Sequence, residues 1–147
     1  MLSFDTNILV YAADRTAGER HAASIALLNA AVTNDAVLNE QSVIEFLHVA
    51  TRKQKQPVID AANMVQAWLK NFPVIMSAET AIEDTIALLT AHSLSVWDAH
   101  MLAICAAHGC ETLLSEDLSD GALYGSVRVL NPFNPRNALT LAELLGS

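Results

Sequence analysis

The sequence predicts an α/β domain, a three-layer α/β/α sandwich with a mostly parallel sheet of four or five strands. Short apolar segments of three or four residues alternate with longer segments whose apolar side chains recur at helical spacing. The short segments are apolar throughout, which is typical of parallel strands covered by helices on both faces. A chain of 147 residues is most simply one such domain.

The elements of the first half follow from apolar spacing and from start and stop signals. Pro57 fits the first position of a helix, and Pro73 ends that helix because its nitrogen carries no hydrogen to donate. The predicted elements are a short buried strand at Phe4 that runs into a turn or helix, a helix at 19–31, a strand at 36–38, a helix at 41–53 and a helix from 57 to about 71.

The second half continues the alternation. Ser77 is expected to cap a helix, and Gly109 is expected to end the most apolar helix of the chain in a left-handed conformation. The predicted elements are a strand at 74–76, helices at 78–91 and 96–108, a strand at 112–114, a polar loop at 115–125, a strand at 127–130 and a short helix at 139–145.

Composition and charge limit the classes of partner. The net charge of −8 argues against general attraction to nucleic acid or to an anionic membrane, but it leaves room for an enzyme that meets nucleic acid through a bound metal. No apolar run reaches the roughly 18 residues that a membrane span needs, and no secretory signal is visible. We therefore expect a cytoplasmic protein with no membrane partner. Cys105 and Cys110 are expected to be buried apolar residues instead of a disulfide or zinc ligands.

Four acidic residues are predicted to lie at one edge of the sheet. Asp5 follows the first strand and Asp117 follows the fourth, while Asp98 opens a helix and Glu45 lies early in another. Sites in open parallel sheets lie outside the carboxyl ends of the strands. Four carboxylates converging there would repel each other unless a divalent cation lay among them. Oxygen ligands without Cys or His favour Mg²⁺ or Mn²⁺ over zinc.

Asp5 and Glu45 each have a purely structural interpretation as well. Asp5 could be a turn residue or the N-cap of the segment that follows. Glu45 completes a capping-box pattern with Ser42. Asn39 is an equally good N-cap, and a helix that began there would place Glu45 in its second turn.

Asp98 and Asp117 have structural alternatives of the same kind. Asp98 completes a capping pattern with Ser95, although Asp is shorter than the usual Glu or Gln at that position. Asp117 could belong to a solvated acidic turn. A calcium-binding loop that began at Asp117 is excluded, because its sixth and twelfth positions would be Ala122 and Arg128 in place of Gly and Glu.

The motifs around these acids together resemble those of PIN domains. The segment at 4–11, Phe-Asp-Thr-Asn-Ile-Leu-Val-Tyr, resembles the opening of that family, and the segments around Glu45, Asp98 and Ser115 resemble its later motifs in the same order. The ending at 127–133, Val-Arg-Val-Leu-Asn-Pro-Phe, resembles a bacterial subgroup, the toxins of VapBC toxin–antitoxin modules. The similarity covers nearly the whole chain.

The resemblance implies a metal-dependent endoribonuclease that hydrolyses RNA phosphodiester bonds, commonly as a homodimer. It places Asp5, Glu45, Asp98 and Asp117 in an acidic quartet around Mg²⁺ or Mn²⁺. Asp120 falls at a second acidic position of the same loop and is an alternative ligand. The polar residues that would order the site are Thr6, Asn7 and Ser115.

The resemblance also implies partners. An antitoxin would cover apolar surface near the site and could insert a basic residue among the acids. A basic cluster, Arg52, Lys53 and Lys55, ends the helix that carries Glu45. With Arg15 and Arg20, it is the candidate for contacts to RNA phosphates, although a solvated helix end is an equally good interpretation.

Two other functions stay open at this point. The segment Asp5-Thr6-Asn7 after an apolar strand also resembles the haloacid-dehalogenase type of phosphatase, in which the first Asp becomes phosphorylated. That type expects Asp at the position of Asn7 and a lysine in the site. The other possibility is a PIN-like module that binds RNA or a protein without cutting.

Overall fold

The computed structural model describes residues 1–146 and confirms the three-layer α/β/α architecture. Six strands form one sheet in the order β3-β2-β1-β4-β6-β5, and every neighbouring pair is parallel except β5 with β6. The strands are β1 Leu2–Phe4, β2 Ala36–Asn39, β3 Val74–Ile75, β4 Thr112–Leu114, β5 Leu123–Tyr124 and β6 Val127–Leu130.

The sheet has one strand more than predicted. Strand β5 lies inside the segment predicted as a polar loop, where it pairs antiparallel with β6. It is only two residues long, and Gly125 turns the chain back with a φ of +61°. The sequence pattern did not indicate β5, although the equally short β3 was predicted from the apolar residues that follow Pro73.

Seven α-helices cover the sheet in the described part of the chain. They are α1 Thr6–Ala13, α2 Glu19–Ala31, α3 Glu40–His48, α4 Val58–Leu69, α5 Ala81–Ala91, α6 Val96–Ala107 and α7 Ala138–Leu144. The helix predicted at 41–53 is α3 continued by a π-helical turn, Val49–Lys53. None of these helices is long and apolar enough to cross a membrane.

The predicted start of α5 at Ser77 is wrong. The helix begins at Ala81 after Thr80. Ser77 instead contacts two other helices: its backbone N–H donates to Glu40 Oε2 at 3.3 Å, and its hydroxyl lies 3.3 Å from His100 Nε2. Ser77 therefore connects the loop after β3 to α3 and α6.

Two apolar clusters fill the spaces on either side of the sheet. Leu2 and Phe4 of β1 point into the cluster formed with α1, α2 and α4, and Val37 and Leu113 point into the cluster formed with α6. Helix α6 is the most buried helix, as its composition predicted. Its Cys105 is buried, and so is Cys110 beyond its end; both are free thiols.

The order of the strands places a site at the carboxyl ends of β1 and β4. From β1 the chain continues to β2 and β3 on one side of the sheet, whereas β4 lies beside β1 on the other side. The direction in which strands are added therefore reverses between β1 and β4. Phe4 pairs with Leu114 at the last position of both strands. Asp5 N–H donates to Leu114 O at 2.9 Å. This bond holds Asp5 beside Ser115, at the point where β1 and β4 end.

Candidate active site

Asp5 has the structural role that the sequence allowed for it. It is the N-cap of α1, and its Oδ1 accepts a 2.6 Å hydrogen bond from Thr6 N–H. Its Oδ2 accepts a 2.6 Å hydrogen bond from the Ser115 hydroxyl and a 3.3 Å hydrogen bond from Asn7 Nδ2. Only 4% of Asp5 is exposed. The cap thus fixes a buried carboxylate at the carboxyl end of the central strand.

Ser115 orders the loop after β4 through the same hydroxyl. While Ser115 Oγ donates to Asp5, it accepts hydrogen bonds from Asp117 N–H at 3.2 Å and from Leu118 N–H at 3.3 Å. Ser115 is fully buried. One serine therefore sets the position of Asp117 relative to Asp5.

Asn7 connects Asp5 with the loop after β4. Its amide nitrogen donates to Asp117 Oδ2 at 3.0 Å and lies 3.5 Å from Ser115 Oγ. Its amide oxygen is buried and has no hydrogen-bond partner within residues 1–146. A buried carbonyl oxygen without a donor is costly in free energy, and such groups often mark a position for a ligand or an ordered water.

Glu45 lies near Asp5 because α3 begins at the end of β2. Asn39 is the N-cap of α3 and accepts from Gln41 N–H at 3.0 Å, so the capping-box interpretation with Ser42 is wrong. The cap at Asn39 places Glu45 in the second turn, where its Oε2 accepts a 2.8 Å hydrogen bond from the Thr6 hydroxyl.

Asp98 lies in the first turn of α6, whose N-cap is Ser95. The Ser95 hydroxyl accepts a 3.1 Å hydrogen bond from Asp98 N–H, as the capping pattern predicted. The bond uses the backbone of Asp98, so its half-buried carboxylate stays available. The positive end of the helix dipole favours an anion at this position.

These side chains line one cavity of about 320 Å³. Asp5, Glu45, Asp98 and Asp117 all contribute to its wall. The complete lining is Asp5, Thr6, Asn7, Val10, Tyr11, Glu45, Val49, Asp98 and Asp117.

The acids are arranged more loosely than the sequence predicted. Within residues 1–146, no three His, Cys, Asp or Glu side chains are gathered as the ligands of a single ion. Carboxylates repel one another, and three of the four are held by separate donors: Asp5 by Ser115, Glu45 by Thr6, and Asp117 by Asn7. The cavity collects the four acids without bringing them to one point.

Burial raises the pKa of Asp5 from its ordinary value of 3.8 to about 7. The hydrogen bond from Ser115 opposes this effect, whereas the negative charges of Asp98 and Asp117 add to it. A carboxylate that is ionised at neutral pH in this position has a free-energy penalty that a nearby positive charge would offset.

Asp120 does not line the acidic cavity. Its carboxylate accepts hydrogen bonds from Asn131 N–H at 2.8 Å, from Asn134 Nδ2 at 2.7 Å and from Asn137 Nδ2 at 2.9 Å. These donors lower the pKa of Asp120, the Asn131 backbone most of all. The residue holds the segment after β6 in place.

The basic residues lie outside the cavity. Arg15 lines a separate, mostly apolar cavity of about 340 Å³ between α1, α2 and α4. Arg52 and Lys53 are exposed in the π-helical turn, three and four residues after the cavity-lining Val49. Glu45, Val49 and Lys53 are four residues apart, so they follow one side of this continuous helix.

Sequence reasoning missed a group of side chains beside the cavity. Tyr11 lines the cavity, and the Glu116 carboxylate beside it raises the pKa of the tyrosine hydroxyl. Glu116 accepts hydrogen bonds from Arg20 Nη2 at 2.6 Å and from Arg20 Nε at 2.9 Å. The Arg20 guanidinium lies 4.4 Å from the centre of the Phe133 ring. Arg20 is therefore paired with Glu116 within the protein.

Three solved structures share this fold across nearly their whole length. The sarcin–ricin-loop-cleaving toxin VapC20 of Mycobacterium tuberculosis has a TM-score of 0.67 at 17% identity, covering 87% of this chain and 99% of that one. A toxin–antitoxin complex from Klebsiella pneumoniae has a TM-score of 0.65 at 25% identity, covering 90% and 98%. VapBC2 of Rickettsia felis, bound to a promoter DNA fragment, has a TM-score of 0.65 at 13% identity, covering 88% and 97%.

The sequence comparison identifies the family independently of the fold. No curated protein matches the chain. Residues 3–119, however, match the PIN domain, and this span includes Asp5, Glu45, Asp98 and Asp117. The chain belongs to the PIN domain family.

Proposed function

We propose that this protein is an endoribonuclease that depends on Mg²⁺ or Mn²⁺ and acts as the toxin of a toxin–antitoxin module. The observation that carries the proposal is that Asp5, Glu45, Asp98 and Asp117 line one cavity at the carboxyl ends of the central strands. Membership of the PIN domain family supports nuclease chemistry. The similar toxins and toxin–antitoxin complexes support the biological role.

The residues of the cavity fit a divalent metal ion. Its polar atoms are carboxylate, amide and hydroxyl oxygens, which are the ligands that Mg²⁺ and Mn²⁺ prefer. Asn7 Oδ1 is buried without a hydrogen-bond partner among residues 1–146, and burial together with the charges of Asp98 and Asp117 raises the pKa of Asp5. A cation bound here would polarise the phosphodiester and activate a water for attack on phosphorus.

Each residue would support that chemistry in its own way. Asp5 would be the central ligand, because the Thr6 N–H and the Ser115 hydroxyl orient its two oxygens. Asn7 and Ser115 would hold Asp117 in position relative to Asp5. Asp98 would be a direct or water-mediated ligand, since no protein donor is bonded to its carboxylate within the described residues.

The other two functions receive less support. No lysine lines the cavity within residues 1–146, whereas a phosphatase with an aspartyl nucleophile would need one to hold the phosphate. A module that only binds RNA would not need four carboxylates in one cavity, because acids repel phosphate.

The proposal includes an antitoxin and a second copy of the chain. The mostly apolar cavity between α1, α2 and α4 lies on the other side of α1 from the acids: Val10 and Tyr11 line the acidic cavity, while Ala12 and Ala13 line the apolar one. An antitoxin segment seated there would lie close enough to reach the acids. The homodimer stays a prediction, and sedimentation of the purified toxin would test it.

RNA cleavage tests the proposed function. Purified protein should cut single-stranded RNA with Mg²⁺ or Mn²⁺ and stop when a chelator is added. Asp5→Ala and Asp98→Asn should each lose at least about a hundredfold in rate. Equal cutting by the variants would indicate a contaminating nuclease and would refute the proposal.

A further inference from the structure

We propose that Tyr11 stacks an unpaired nucleobase of the substrate next to the acidic cavity, and that Glu116, Arg20 and Phe133 hold Tyr11 in position. This inference rests on the proposed function. It adds to that function a residue that contacts the substrate.

Tyr11 is the one aromatic residue among those that line the acidic cavity. It is half-buried and contributes to the wall of the cavity. The other lining side chains are four acids, a threonine, an asparagine and two valines. In the proposed function, the four carboxylates and the cation among them act on the phosphodiester, which leaves the ring of Tyr11 as the part of this wall suited to a base. Aromatic rings bind bases by stacking whatever their sequence.

The Tyr11 ring is held through a series of contacts that begins with Phe133 and continues through Arg20 to Glu116. Phe133 packs edge-to-face against Tyr11, with 5.8 Å between the ring centres at an interplanar angle of 74°. Arg20 covers Phe133 and binds Glu116 through two nitrogens, so Phe133 is itself held in place. A side chain fixed before binding loses little conformational entropy when a base stacks on it.

The same group of residues ties the stacking position to the acids. Glu116 lies between Ser115, which donates to Asp5, and Asp117, which accepts from Asn7. A base stacked on Tyr11 would therefore be placed at a fixed offset from the carboxylates. Bases within a duplex are stacked and paired already, so single-stranded segments and loops are the substrates that this arrangement accepts.

The test distinguishes the effect of the Tyr11 ring from the effect of its hydroxyl, and it alters the protein and the RNA separately. With a single-stranded RNA whose cleavage site has been mapped, Tyr11→Leu should raise KM about tenfold and change kcat less than about twofold. Tyr11→Phe keeps the ring and should stay within about threefold of the wild-type KM. Arg20→Gln should raise KM by a smaller factor through loss of positioning, whereas the matched Arg136→Gln, an exposed arginine away from the cavity, should not.

An abasic substrate gives the same information without altering the protein. Each base that flanks the cleavage site is removed in turn. At one position, the abasic RNA should raise the KM of the wild type about tenfold. The same abasic RNA should not raise the KM of Tyr11→Leu any further. If Tyr11→Leu leaves KM unchanged, or if its effect adds to that of every abasic substrate, the inference is wrong while the proposed function stands. If the wild type cuts no RNA, the proposed function fails and the inference fails with it.

Discussion

The Ser115 hydroxyl donates a 2.6 Å hydrogen bond to Asp5 Oδ2 and joins two buried residues that are 110 positions apart in the chain. The bond crosses between the ends of the two central strands, β1 and β4. It stabilises the ionised form of a carboxylate that burial disfavours. The geometry of the acidic cavity therefore depends on a neutral side chain as much as on the acids.

Ser115→Ala should weaken both stability and activity. The substitution removes the donor to Asp5 and the acceptor for Asp117 N–H and Leu118 N–H. We expect a loss of about 1–3 kcal/mol in the free energy of unfolding, measured in urea, and a cleavage rate reduced about tenfold or more. Ser115→Thr keeps the hydroxyl and is the matched control. An alanine variant as stable and as active as the threonine variant would contradict this role.

The raised pKa of Asp5 predicts that stability falls as pH rises. Between the ordinary value of 3.8 and about 7, the unfolded chain has lost the Asp5 proton while the folded protein keeps it. The folded state then binds more protons, so raising the pH favours unfolding, and the penalty is fully present above about pH 7.

The measurement is urea unfolding of wild type and Asp5→Asn with chelator present. Asparagine cannot ionise, so the difference in unfolding free energy between the two proteins isolates the carboxylate. Wild type should lose roughly 2–4 kcal/mol relative to Asp5→Asn from about pH 4 to about pH 8. A constant difference over that range would show that burial does not hold the proton on Asp5.

Asp117 and Asp120 should have separable effects. Asp117 lines the acidic cavity, whereas Asp120 holds the segment after β6 through three asparagines. Asp117→Asn should lose most of the cleavage activity and little stability. Asp120→Ala should cost about 1–2 kcal/mol of unfolding free energy and keep metal-dependent cleavage by the folded protein. The reverse pattern would make Asp120 the ligand.

Asn39 should matter more for stability than Ser42, because it is the N-cap of α3. Asn39 is fully buried and also donates to Met101 O at 3.0 Å, whereas the buried Ser42 hydroxyl donates to Met101 Sδ, a weak acceptor. Asn39→Ala should destabilise the fold by about 2 kcal/mol and lower cleavage by displacing Glu45. Ser42→Ala is the comparison and should lose less than about 1 kcal/mol. Equal losses in thermal unfolding would favour Ser42 as the cap.

The sequence predicted the fold because its signals are local. Apolar runs, prolines and helical spacing gave five of the six strands, and the apolar character of α6 gave its burial. The start of α5 was misplaced because Ser77, a good N-cap by type, makes its contacts with Glu40 and His100, far away in sequence. Local propensity cannot anticipate such contacts.

The cavity was predictable for a related reason, and only in part. Residues that follow parallel strands lie at the same edge of the sheet, where the carboxyl ends of the strands meet. This rule brings Asp5 and Asp117 together. The choice between Asn39 and Ser42 as the cap required three-dimensional packing. Glu116 lies between Ser115 and Asp117 in the sequence, and only the three-dimensional structure shows that Arg20 binds it.

Manganese binding by the purified protein tests the central claim most directly. Electron paramagnetic resonance distinguishes free Mn²⁺ from bound Mn²⁺, so titrations of wild type, Asp98→Asn and Arg136→Gln can be compared without any RNA. We predict that wild type and Arg136→Gln bind alike and that Asp98→Asn binds at least about tenfold more weakly. Equal binding by all three proteins, or none by wild type, would contradict a metal centre built on these acids.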